Sequence, residues 1–183
     1  MTHSHKDAAR LAKAEDAGII GQLLAADMRT RITLAAPDYA KQLVPMIDEK
    51  LLAESWLEAI TSRDGETVLV ATADNEIVGF AAYMQVPETG EDGGKTAEIL
   101  SFTIAENHRR QGHGSRLLQA VVDHAKLGSD ELRVWISPND EARVRFYDSA
   151  GFGATPAKRT LNLGPVKDPE NLWVTRIKAD GED

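Results

Sequence analysis

The chain has 183 residues and no cysteine. Disulfides, thiolate metal sites and a cysteine nucleophile are therefore excluded, and a reducing cytoplasm is the expected setting. No apolar run approaches the ~18 residues of a membrane span. Residues 1–7, Met1-Thr2-His3-Ser4-His5-Lys6-Asp7, hold no apolar stretch of the kind a secretory signal carries. A basic excess is also missing. Lys and Arg number 21 against 29 Asp and Glu, for a net charge of −8. Such a surface repels phosphate backbones and attracts cationic amines, so nucleic acid is the weakest class of partner. The patterns G-x-x-x-x-G-K-[ST], G-x-G-x-x-G, G-x-S-x-G and H-E-x-x-H do not occur, which removes four common phosphate, dinucleotide, serine-hydrolase and zinc sites. The five histidines have no partners at metal-ligand spacing, so no metal is expected.

What is present is ordinary for one globular unit: 42% hydrophobic and 27% charged residues. A length below ~250 residues suits a single core. The chain is expected to be one domain over 1–183, with 1–7 and 179–183 as flexible tails. The glycine-rich stretch Gly90-Glu91-Asp92-Gly93-Gly94 reads as a hairpin loop.

Periodicity divides the chain further. Residues 8–14 read as a short strand and Asp16 as an N-cap, with Ile19, Ile20, Leu23 and Leu24 at helical spacing behind it. A second helix is expected to start near Pro45, with Ile47/Leu51 and Leu52/Trp56/Ile60 as its apolar rows. Residues 68–71 and 77–81 flank the turn pair Asp74-Asn75 and read as strands, as does 97–104. Residues 115–126 form an amphipathic helix through Leu117, Leu118, Val121, Val122 and Ala125. A strand at 132–136, a helix at 140–149 ended by Gly151, and strands at 160–163 and 172–177 complete a mixed α/β domain on one largely continuous sheet.

The most informative stretch is Ile104-Ala105-Glu106-Asn107-His108-Arg109-Arg110-Gln111-Gly112-His113-Gly114-Ser115, set between a strand and an amphipathic helix. Glycines let the backbone approach a ligand, and the free N–H groups and dipole of the next helix favour an anion. Arg109, Arg110 and Arg116 concentrate positive charge in an otherwise acidic chain. Both a pyrophosphate cradle and a plain turn with solvated arginines fit these residues. His108 and His113 flank the turn and read as solvated.

Arg109-x-x-Gly112-x-Gly114 resembles the R/Q-x-x-G-x-G/A signature of GNAT acetyltransferases. A second segment, Asn139-Asp140-Glu141-Ala142-Arg143-Val144-Arg145-Phe146-Tyr147-Asp148-Ser149-Ala150-Gly151-Phe152, resembles that family's N-x-x-A-x-x-F-Y-x-x-x-G-F. Counted back from Phe146-Tyr147, the family's asparagine falls on Asp140 and its alanine on Arg143, a departure from the pattern. The resemblance covers roughly 66–152. It implies a mostly antiparallel central sheet flanked by helices, with strand 97–104 splayed from strand 132–136 to admit acyl-CoA.

The resemblance further implies acetyl-CoA as cosubstrate, with no metal. Phe102, Thr103 and Ile104 would line the acetyl group. Arg109, Arg110, Gln111, Gly112, His113, Gly114 and Ser115 would cradle the pyrophosphate, and Asp140 and Arg143 would lie along the CoA arm. Acetyl transfer to an amine needs a base for the amine, polarisation of the carbonyl and a proton for the leaving thiolate. Tyr147 is the candidate for the last role. Glu98 is the candidate base, against the plainer reading of a solvated strand glutamate.

The acceptor would be a small-molecule or peptide amine, or a lysine side chain. Asp27, Asp38, Asp48, Glu49 and Glu54, with Glu88, Glu91 and Asp92 of the loop, would give it an acidic entrance or merely a solvated face. A homodimer through the C-terminal strands stays open. So do two rival readings, a non-catalytic acyl-CoA sensor and an enzyme for another acyl donor.

Overall fold

The computed structural model describes residues 7–62, 65–87, 95–164 and 166–177. The strands are β1 (Ala8–Leu11), β2 (Glu66–Ala73), β3 (Glu76–Val86), β4 (Thr96–Ile104), β5 (Glu131–Ile136), β6 (Gly153–Leu163) and β7 (Val166–Arg176). The helices are α1 (Ala17–Ala35), the single turn α2 (Ala40–Leu43), α3 (Glu49–Ser62), α4 (His113–Ala125) and α5 (Glu141–Ser149). One seven-stranded sheet runs in the order β1-β2-β3-β4-β5-β7-β6. Every neighbouring pair is antiparallel except β4 with β5.

Alternation along the strands sends side chains to two faces. On one, Leu117, Leu118 and Val121 of α4 close over Leu69, Ala71, Leu132 and Val134, joined by Tyr147 and Phe152 from α5 and its C-terminal end. On the other, Ile20 and Leu23 of α1 with Trp56 and Ile60 of α3 cover Val68, Val70, Phe80 and Ala82. Each fully buried leucine or phenylalanine contributes roughly 1.5–3 kcal/mol. Gly21 lets α1 and α3 touch, because a Cβ there would lie 2.8 Å from the backbone nitrogen of Ala53.

Several sequence expectations need correction. The first strand ends at Leu11. Asp16 does sit at the N-cap of α1, but its carboxylate makes no cap bond to that helix. It accepts from Arg10 Nη1 at 2.7 Å and from the Lys13 amide at 2.7 Å instead. The helix expected from Pro45 starts at Glu49, with a 3-10 turn over Val44–Met46. Asp48 supplies the start, its Oδ1 accepting from the amides of Lys50 and Leu51. Helix α4 begins two residues early, at His113, because Gly112 makes the turn. The closing strands are longer than expected, since their exposed residues hide the alternation. The glycine-rich loop, with Glu88, Glu91 and Asp92, and the two tails apart from Asp7 lie outside the described residues.

Candidate active site

Strands β4 and β5 pair only where Thr96–Ile99 face Glu131–Val134. Yet β4 stays on β3 as far as Ile104, and β5 stays on β7 as far as Ile136. The two strands therefore part, as the splayed arrangement requires. A bulge starts the parting: Ala82 faces Ser101 and Tyr83 faces Ile99, which leaves Leu100 as the extra residue on β4. Beyond it one edge of β4 has no strand opposite among the described residues, a geometry open to an extended ligand. A pocket of about 110 Å³ lies here, reached by Phe102 of β4 and Trp135 of β5.

Tyr147 closes this gap from α5. It is 1% exposed, wedged among Phe102, Phe146 and Phe152 with ring centroids 6.0, 5.1 and 5.0 Å away. Its hydroxyl has no hydrogen-bond partner among the described residues. An orphaned buried hydroxyl costs about 1–3 kcal/mol. Burial pushes its pKa well above the ordinary phenol value; Arg143 opposes that shift and Asp27 adds to it.

Asp140 and Arg143 hold α5 in position. Asp140 Oδ1 caps the helix by accepting from the Arg143 amide at 3.0 Å. The Arg143 guanidinium reaches Asp27 of α1 at 2.7 Å and Asp140 at 3.4 Å. Arg143 lines the pocket as well. Asp27 is thus a buried ion-pair partner and no part of an open acidic entrance. Asp48 is spent on the α3 cap, Glu49 on Arg29 and Glu54 on Lys50.

The arginine- and glycine-bearing turn follows β4. After the short turn Glu106–His108, Arg110 and Gly112 take φ of 62° and 87°, and α4 starts. Gly112 is the N-cap and no side chain among the described residues caps that helix, which leaves the first-turn amides of His113, Gly114 and Ser115 without an intrahelical partner. A Cβ on Gly112 would meet nothing within 4 Å, so the outside of the turn is open. A Cβ on Gly114 would approach Phe146 to 3.3 Å; glycine there seats α4 against α5. Arg109 turns back, its Nε donating to the Ile104 carbonyl at 3.0 Å, and Gln111 donates to Asn107. Exposed Arg110 and Ser115 face outward. His113 is 3% exposed rather than solvated, with its ring 5.9 Å from that of His108. Thr103 is buried, and its hydroxyl is unpartnered among the described residues.

Glu98 is not a solvated glutamate. Its Oε2 accepts from Arg133 Nε at 2.7 Å, and its Oε1 lies 3.9 Å from Arg159. Around it stand residues that the sequence reading did not single out: Arg31, Arg159, Asp168 and Glu170. The last two are each 2% exposed. A usable signal was the alternation of β5, where Leu132, Val134 and Ile136 are buried and Arg133 and Trp135 between them are less so. It marks a polar face across the C-terminal half of the sheet.

Residues 32–152 match the family described as Acetyltransferase (GNAT) family. The chain belongs to this family. A curated GNAT relative, mycothiol acetyltransferase of Amycolatopsis mediterranei, is 30% identical over 118 residues, which cover 64% of this chain and 36% of that protein. The chain thus spans about a third of that relative's length (36%). Ribosomal-protein-alanine N-acetyltransferase from Brucella melitensis has a TM-score of 0.68 at 23% identity, over 92% of this chain and 98% of that one. The protein yncA from Salmonella typhimurium, solved with its cofactor acetyl-CoA, has a TM-score of 0.67 at 18% identity, over 97% and 98%. At such identities these structures speak for the GNAT fold alone.

Proposed function

We propose that the chain is an acetyl-CoA-dependent N-acetyltransferase that moves an acetyl group to a primary amine by direct attack. The observation that carries this reading is the parting of β4 from β5 beside the buried, unpartnered Tyr147 hydroxyl. The free amides of His113, Gly114 and Ser115 suit a pyrophosphate, with Arg109, Arg110, Gln111 and Gly112 shaping the turn. The unpaired edge of β4 at Phe102, Thr103 and Ile104 suits the extended pantetheine arm and offers an N–H to the carbonyl oxygen. Asp140 and Arg143 keep α5 alongside. The setting that fits a cysteine-free chain is the cytoplasm.

In the reaction the amine nitrogen bonds to the carbonyl carbon and the carbon–sulfur bond breaks. Glu98 Oε1 takes one proton from the ammonium and later releases it to solvent. The second proton lost by the nitrogen ends on the sulfur. Tyr147 contributes as a hydrogen-bond donor. Its raised pKa makes full proton transfer to a thiolate, whose own value is ~8.5, an uphill step, whereas a phenol that stays protonated can always donate to the charge developing on sulfur.

Calorimetric titration with acetyl-CoA tests the reading. Wild type is expected to bind, and Gly112→Glu to lose about tenfold or more, one ~1.4 kcal/mol step. Gly112→Asn tolerates the left-handed backbone and serves as the folding control. No binding by folded wild type overturns the reading. Binding without thiol release on any amine overturns its catalytic half and favours a sensor.

A further inference from the structure

The polar face of the sheet is wired as a chain of alternating charges. Arg133 Nε meets Glu98 at 2.7 Å, Glu98 faces Arg159 at 3.9 Å, and Arg159 Nε meets Glu170 at 2.7 Å. Glu170 then meets Arg31 at 2.9 Å, and Arg31 faces Asp168 at 3.7 Å. The longest link is that between Glu98 and Arg159, and both of these residues line the pocket. Glu98 Oε1 has no hydrogen bond among the described residues, and of the five N–H groups of Arg159 only Nε–H has an acceptor there. Arg159 is 45% exposed and stacks on Trp135, its guanidinium carbon 4.6 Å from the ring.

A chain of alternating charges accepts an insert only if the insert alternates too. An ammonium alone at Glu98 would set like charge against Arg159, and an anion alone at Arg159 would set like charge against Glu98. A molecule with an ammonium and a carboxylate separated by one carbon satisfies both ends. It reads Arg133(+), Glu98(−), ammonium, carboxylate, Arg159(+), Glu170(−). Guanidinium presents a planar fork to a carboxylate, and stacking on Trp135 fixes the plane of that fork. The ammonium then meets the same Oε1 assigned to accept its proton.

We propose that the acceptor is a free α-amino acid, with Arg159 as the residue that binds its carboxylate. This rests on the N-acetyltransferase reading above and narrows it. Lysine side chains within proteins, whose amine has no neighbouring carboxylate, are disfavoured.

The test compares the twenty protein amino acids with their carboxamides and their decarboxylated amines, by thiol release from acetyl-CoA. The preferred amino acid is expected to exceed its two analogues in kcat/KM by about 100-fold or more, since a site built for a polar group rejects analogues lacking it. In Arg159→Met the KM for the amino acid is expected to rise about tenfold or more, while the carboxamide and the KM for acetyl-CoA change little. Arg159→Lys, which keeps the charge without the fork, should recover part of the loss. A variant that merely misfolded would lose acetyl-CoA and carboxamide turnover together. Equal turnover of the decarboxylated amines, or discrimination unchanged in Arg159→Met, overturns the proposal. So does a protein that acetylates other amines and none of the amino acids. Failure to bind acetyl-CoA overturns the parent reading, a separate result.

Discussion

Under α4, the strands offer Leu69, Ala71, Leu132 and Val134 to Leu117, Leu118 and Val121. On the opposite side, the C-terminal strands offer Trp135, Arg159 and Glu170 to a pocket, with Arg133 behind Glu98. The first side is held by a force without direction, roughly proportional to area, so near-equal volumes substitute for one another. The second is held by contacts with fixed partners, and removing one charge strands another. The region under α4 therefore carries the fold, and the ionic region over the C-terminal strands borders the pocket.

The comparison can be broken at three places. Leu117→Ala removes a fully buried side chain and is expected to cost about 2–5 kcal/mol in denaturant unfolding. The folded fraction should keep its kcat. A fall in kcat at full folding would show that the apolar side is more than scaffold. Tyr147→Phe should do the opposite. It deletes a hydroxyl with no partner among the described residues, so stability should stay level or rise, while kcat falls about 100-fold, as for loss of a transition-state donor. A Tm loss matching the rate loss would return Tyr147 to the core. The smallest effect is expected from Arg10→Ala, an ionic contact outside the pocket. Asp16 is held below its ordinary carboxylate value first by its hydrogen bond from Arg10, against the opposing effect of burial. A lowered value stabilises the fold above it, and that contribution is lost as pH falls through it. Wild type should thus exceed the variant in Tm by about 2–4 °C at pH 7, and the difference should close as the pH falls below the ordinary carboxylate range. Turnover should not change.

These two sides also differ in how far they could be read from the sequence. Leu117, Leu118 and Val121 announce α4 through their spacing, and Arg109, Gly112 and Gly114 mark the turn because the positive φ at Gly112 and the close approach of Phe146 at Gly114 each favour glycine at a fixed place. Tyr147 is found by its neighbours Phe146 and Phe152. The ionic side gives no such sign. Arg31 and Glu170 meet across 139 residues of chain, and no local spacing encodes a pair that only the sheet order brings together. For the same reason Asp27 reads as a surface acid, although Arg143 holds it 116 residues away. The late start of α3 was hidden because Pro45 suits a 3-10 turn as well as a helix, and the cap was Asp48.

The seam between β4 and β5 is four residues long, from Thr96–Ile99 to Glu131–Val134, and each strand keeps a ladder of its own on the far side. The width of the cleft is therefore uncoupled from global unfolding, since either half can shift without unzipping its own strands. For evolution this makes the cleft cheap to retune. Substitutions at Leu100 or Trp135 can reshape what the opening admits, and the scaffold beneath α4 need not respond.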